Sequence, residues 1–113
     1  MKKTIVLVPS VGFLSALKDV AKAASQGVNP KPEIRSTVSS ILRRKQEIGK
    51  VVVLMGAYRG RTTIGPDKVY RALKKGGFKG KVTVIDEWDW KIPGQVLLKP
   101  GMSMLKQIKA CLV

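Results

Sequence analysis

The run Val51-Val52-Val53-Leu54-Met55 constrains this chain more than any other feature of its sequence. Successive side chains of a strand point to opposite sides, so an unbroken apolar run makes both faces of the strand apolar. A strand of that kind needs cover above and below, and a parallel sheet between helix layers supplies it. Two further segments read the same way. Residues 4–9 contain Ile5-Val6-Leu7-Val8, and residues 81–86 contain Val82-Thr83-Val84-Ile85.

Helical spacing fills the intervals between these strands. Residues 11–25 place Phe13, Leu14, Leu17, Val20, Ala21 and Ala24 on one side and Lys18 and Lys22 on the other. Gly27, Pro30 and Pro32 make residues 26–32 a loop. Residues 33–48 read as a second helix burying Ile34, Val38, Ile41, Leu42 and Ile48, with Gly49 at its C′ position. The central strand covers residues 50–57. A polar loop, residues 58–65, leads to Pro66, which suits the first position of a third helix, with Asp67 favouring its N-terminal end. Val69, Tyr70 and Leu73 give that helix its apolar side, and Gly76-Gly77 stop it. Residues 95–99 read as a short fourth strand. Pro100-Gly101 turns the chain, and Ser103 caps a final helix that buries Leu105, Ile108 and Leu112.

Strands alternating with helices predict an α/β fold with right-handed crossovers. The expected form is a small three-layer Rossmann-like or flavodoxin-like domain, with a mostly parallel sheet of three or four strands. Residues 1–113 fit one such domain.

Composition narrows the chemistry. There is no His, and Cys111 is the single cysteine. Histidine-based acid/base catalysis, zinc-finger sites and an intrachain disulfide are therefore excluded. Every apolar run falls far short of the ~20 residues that span a bilayer. Residues 5–8 are too short for a signal-peptide core. The expectation is a cytoplasmic protein without a membrane partner. Against 22 Lys and Arg stand 7 Asp and Glu, a formal net charge of +15. Such a charge repels itself, and in a small domain it points to a polyanionic partner, nucleic acid above all.

Ligands of open parallel sheets bind beyond the carboxyl ends of the strands. That rule gathers Ser10-Val11-Gly12, residues 58–65 and residues 86–90. Ser10-Val11-Gly12 reads as a helix cap or a small anion-binding turn. Arg59, Gly60, Arg61, Thr62 and Thr63 read as a phosphate or nucleic-acid site. Two guanidinium forks bond phosphate bidentately, Gly60 allows close approach, and a helix N-terminus follows. The alternative is an ordinary polar loop. Lys31, Arg35, Arg43, Arg44 and Lys45 form a second basic surface along the predicted second helix, or else a solvated face.

Tyr58, Trp88 and Trp90 are candidates for base stacking. In an extended segment Trp88 and Trp90 share a face, which also suits core packing or association with a second copy of the chain. Asp86, Glu87 and Asp89 are the candidate catalytic residues, with Asp86 and Asp89 the candidate metal ligands for Mg²⁺. Their spacing resembles the paired aspartates of toprim nucleases and topoisomerases over this short stretch alone. Toprim domains also carry a glutamate at the end of the first strand, where this chain has Pro9 and Ser10.

Three functions are compatible with these residues. The leading one is a nucleic-acid-binding protein, DNA or RNA, that contacts the phosphate backbone and needs no cofactor. The second is a metal-dependent nuclease or phosphodiesterase using Asp86, Glu87 and Asp89 with Mg²⁺. The third is a nucleotide-binding regulatory module. The charge favours a polymer over a mononucleotide, and the missing first-strand carboxylate weighs against the enzyme. Replacing both Arg59 and Arg61 by Ala is expected to weaken phosphate-dependent binding with little loss of stability. Binding curves and thermal midpoints on the same preparation check this, and unchanged affinity returns residues 58–65 to an ordinary loop.

Overall fold

The computed structural model describes residues 2–8, 14–54, 65–99 and 101–113. The apolar runs form the strands β1 (Lys3–Leu7), β3 (Ile48–Leu54) and β4 (Lys81–Asp86). They are joined at the margins by two short strands, β2 (Glu33–Arg35) and β5 (Val96–Leu97). The sheet runs β2-β1-β3-β4-β5, with every neighbouring pair parallel. This is the strand order of flavodoxin-like sheets. The sheet therefore has five strands rather than the three or four expected, and β2 is the one that the sequence pattern concealed.

Both faces are covered, as the uninterrupted apolar runs require. Alternation divides each central strand between the two layers. Ile5, Leu7, Val51, Val53, Val82 and Val84 face one side. There they meet Ile41 of α2 (Val38–Leu42) and Val69 and Leu73 of α3 (Pro66–Lys75). Val6, Val8, Val52, Leu54 and Ile85 face the other side. There they meet Ala21 and Ala24 of α1 (Leu14–Ser25) and Ile108 and Leu112 of α4 (Met104–Leu112). Phe13 and the side chains of Leu14 and Leu17, predicted for the same stripe of α1, lie outside the described residues.

The single helix predicted for residues 33–48 is not formed. Its place is taken by β2, α2, a 3₁₀ turn (Lys45–Glu47) and the start of β3. The cause lies in where its apolar residues must go. Ile34 packs on the α1/α4 side of the sheet, whereas Ile41 is buried on the α2/α3 side. One helical stripe cannot face both layers. Thr37 marks the break. Its backbone is extended, and its hydroxyl accepts the backbone N–H of Ser40 at 3.3 Å, capping α2. Gly49, expected as a helix C′ residue, instead lies in β3.

Other local signals act as the sequence implies. Pro66 opens α3. The helix ends in a Schellman arrangement, with Gly77 at φ +89°. The Phe78 N–H reaches Leu73 O at 3.0 Å and the Gly77 N–H reaches Lys74 O at 3.1 Å. Ser103 caps α4 by accepting the Lys106 N–H at 3.3 Å. Leu105, expected in the core, is exposed, while Ile108 and Leu112 are buried. Among the described residues no helix is long and apolar enough to cross a membrane.

Gly80, just before β4, sits where β3 and β4 converge. A Cβ there would lie 2.5 Å from the Gly49 carbonyl oxygen and 2.5 Å from the Phe78 ring. Neither the strand backbone nor the buried ring can retreat freely. Gly80→Ala is expected to destabilise the fold by about 1–3 kcal/mol, the usual scale of overpacking. Urea unfolding monitored by circular dichroism measures the change.

Candidate functional site

All strands point the same way, so their carboxyl ends share one edge. The chain leaves β1 toward β2 and leaves β3 toward β4, which puts the topological switch point between β1 and β3. The segments bounding it include Ser10, Val11 and Gly12 on one side and Tyr58, Arg59, Gly60, Arg61, Thr62 and Thr63 on the other. They lie outside the described residues. The described border of this edge consists of Gly65 and Pro66 at the start of α3, Asp86 at the end of β4, and residues 87–95.

Asp86 is buried, with 4% of its surface exposed. Its two carboxylate oxygens accept separate N–H bonds. Oδ1 accepts the Glu87 backbone N–H at 2.8 Å, and Oδ2 accepts the Trp90 indole Nε1–H at 2.6 Å. The Trp90 ring packs against the α2/α3 core layer and crowds Gly65, where a Cβ would lie 3.2 Å from the ring. Gln95 closes the loop by accepting the Trp90 backbone N–H at 2.9 Å and donating to the Trp88 carbonyl at 2.6 Å. Lys91 takes a left-handed φ of 58° in the turn between.

This geometry separates Trp88 and Trp90, which were expected to share one face of an extended segment, for base stacking or for packing. Residues 87–95 form a hydrogen-bonded loop outside the sheet. Trp90 covers the core, while Trp88 is 57% exposed. The three acids also have different settings. Asp89 is turned onto Lys91, accepting its backbone N–H at 2.9 Å and facing its ammonium at 3.3 Å. These contacts, the backbone bond first, hold the Asp89 carboxyl below its ordinary range. Among the described residues no group of three or more acidic or cysteine side chains is arranged to hold a metal ion. Beside Glu87, a cavity of about 410 Å³ opens toward Lys99, Met102 and Gln107 at the start of α4.

The second basic surface is divided by the same refolding of residues 33–48. Arg35 lies on β2 and pairs with Glu33 at 2.7 Å. Lys3 also faces Glu33, at 3.3 Å, and its hydrogen bond is the largest influence lowering the Glu33 carboxyl. Lys31, Arg43, Arg44 and Lys45 precede β2 or follow α2, at the amino edge of the sheet. Arg44 approaches Glu47 at 3.8 Å, and Lys45 Nζ donates to the Gly76 carbonyl at the end of α3, at 3.0 Å.

Their neighbours at that edge escaped the sequence reading. Lys3 begins β1 with Lys2 just before it, Lys50 lies near the start of β3, and Lys81 begins β4 with Lys79 two residues before it. Lys22, Lys74, Lys75 and Lys109 occupy the last turns of α1, α3 and α4. The signal was present as a lysine before each buried run, but only the parallel topology brings these ends together. Cys111 lies beside Lys50 and Lys81. Burial nevertheless raises its thiol above the ordinary range, which makes it a poor thiolate nucleophile.

Compared with known protein families, characterised proteins and solved structures, the chain has no significant match. The bond from Trp90 to Asp86 sets the shape of the carboxyl edge. Trp90→Phe keeps most of the packing but leaves Asp86 Oδ2 without its indole donor. A loss of about 1–3 kcal/mol is expected for a buried acceptor so deprived, read as a lower urea midpoint. An unchanged midpoint means that water replaces the indole at no cost.

Proposed function

We propose that this protein binds nucleic acid, contacting the phosphate backbone through lysine and arginine. One observation carries the reading: of the seven acids set against the 22 Lys and Arg, five are tied locally, which leaves a net charge of +15 dominated by exposed lysines. Glu33 is held by Lys3 and Arg35, Glu47 by Arg44, Asp67 by Arg71 and Asp89 by Lys91. Asp86 is held by two N–H groups. None of these acids is placed to neutralise Lys75, Lys79, Lys81 or Lys109. Concentrated positive charge of this kind attracts a polymer of phosphates by releasing its condensed counterions.

Exposed Trp88 is the stacking candidate that remains among the described residues, and a base laid on it would add sequence-tolerant affinity. We take the protein to act in the cytoplasm, in keeping with a single cysteine held as a thiol. The nuclease reading gains no support from the described residues, among which no group of three or more acidic or cysteine side chains is arranged to hold a metal ion.

If about five phosphates are contacted, log K against log salt should fall with a slope near −4 to −5 on duplex and less steeply on single strands. Fluorescence anisotropy with labelled DNA and RNA over a range of salt concentrations measures it. No binding to either polymer at low salt overturns the proposal.

A further inference from the structure

Resting on the nucleic-acid reading, we infer that the docking face is the amino edge of the sheet, opposite the edge where α/β ligands usually bind. Strand order turns isolated lysines into a row. Going across the sheet, Lys31 precedes β2, Lys3 begins β1 with Lys2 just before it, Lys50 lies on β3, and Lys81 begins β4 with Lys79 two residues before it. Lys50 and Lys81 are register partners on adjacent strands. A Cβ on Gly49 would lie 2.9 Å from the Lys2 side chain, and Gly49 O lies beside Gly80. The row is therefore continuous from β1 to β4.

Four strands at ~4.8 Å spacing extend the row over roughly 14 Å. One strand of duplex advances ~3.4 Å per phosphate along the helix axis, so a row of that length covers the rise of about four phosphate steps, of which it meets those that face it. Arg43, Arg44 and Lys45 continue the positive surface from the end of α2, beside Gly76 and Gly77.

Helix dipoles do not account for this row. Lysines in the last turns of α1, α3 and α4 do favour the negative ends of those helices. Lys50 donates to the Cys111 carbonyl and Lys45 to the Gly76 carbonyl, and both serve that purpose. Lys2, Lys31 and Lys79 lie outside the last turn of any helix and all three are exposed, while exposed Lys81 begins β4 beside Cys111 in the last turn of α4. Adjacent like charges at Lys50 and Lys81 act against the fold. Among the described residues Asp67, Asp86, Glu87 and Asp89 stand at the carboxyl edge, whereas the amino edge carries Glu33, paired with Lys3 and Arg35, and Glu47, beside Arg44, so of the described parts the carboxyl edge is the less favourable for phosphate.

Two triple variants of equal charge separate the edges. Lys75→Gln/Lys79→Gln/Lys81→Gln removes three charges from the amino edge. Lys68→Gln/Lys99→Gln/Lys106→Gln removes three from the first turns and loops of the carboxyl edge. All six residues are exposed, and circular dichroism confirms the folding of each variant. Binding of a labelled duplex to the full chain is followed by anisotropy across salt concentrations. The amino-edge variant is expected to flatten the log–log slope by about 2–3 and to lose affinity, while the carboxyl-edge variant stays close to the unmodified chain. Equal losses in both variants, or a loss confined to the carboxyl edge, overturn this inference and leave nucleic-acid binding standing. Failure of the unmodified chain to bind overturns the underlying reading as well.

Discussion

Three central strands that bury both faces leave charge few places to go. β1, β3 and β4 sit inside two apolar layers, so ionic groups are confined to the outward sides of the helices and to the two ends of the strands. Every strand is parallel, so the two ends are chemically distinct. One collects strand starts and helix C-termini, and the other collects strand ends and helix N-termini. A sequence that sets lysines before its apolar runs and acids after β4 is thereby sorted into a positive edge and a more acidic one.

The connection from β4 to β5 shows the same constraint met in another way. In place of a crossover helix the chain has residues 87–95, and that side of the sheet must still be covered. Ile92 and the Trp90 ring supply the cover. Asp86 is buried beneath the indole, where a carboxylate is tolerated because two N–H groups satisfy it. The carboxyl group is thus drawn into the architecture of the loop.

What could be read from the residues depended on how local the deciding forces were. β4, the Pro66 start and Gly76-Gly77 end of α3, and the Ser103 cap were legible because each is set within a few residues. Residues 33–48 were not. Their apolar spacing is helical, yet Ile34 and Ile41 belong to opposite layers, and only pairing of β2 with β1 reveals it. Core packing of Trp90 was among the readings, but the shared face expected for Trp88 and Trp90 assumed alternation where a glutamine-bridged loop forms. The basic surface was half visible: Lys31, Arg43, Arg44 and Lys45 stood out, whereas Lys2, Lys50 and Lys81 are dispersed in sequence and share an edge only through the strand order.

The two outermost strands have a separate consequence. β2 is three residues long and β5 two, so the sheet ends in margins too short to pair readily with another copy. Open strand margins are ordinarily templates for fibrous self-assembly. Under the proposed binding to nucleic acid, copies lined up along the polymer meet at high density, with their mutual repulsion neutralised by it. Truncated margins keep such an array a set of separate molecules and deny it the means to fuse into one continuous sheet.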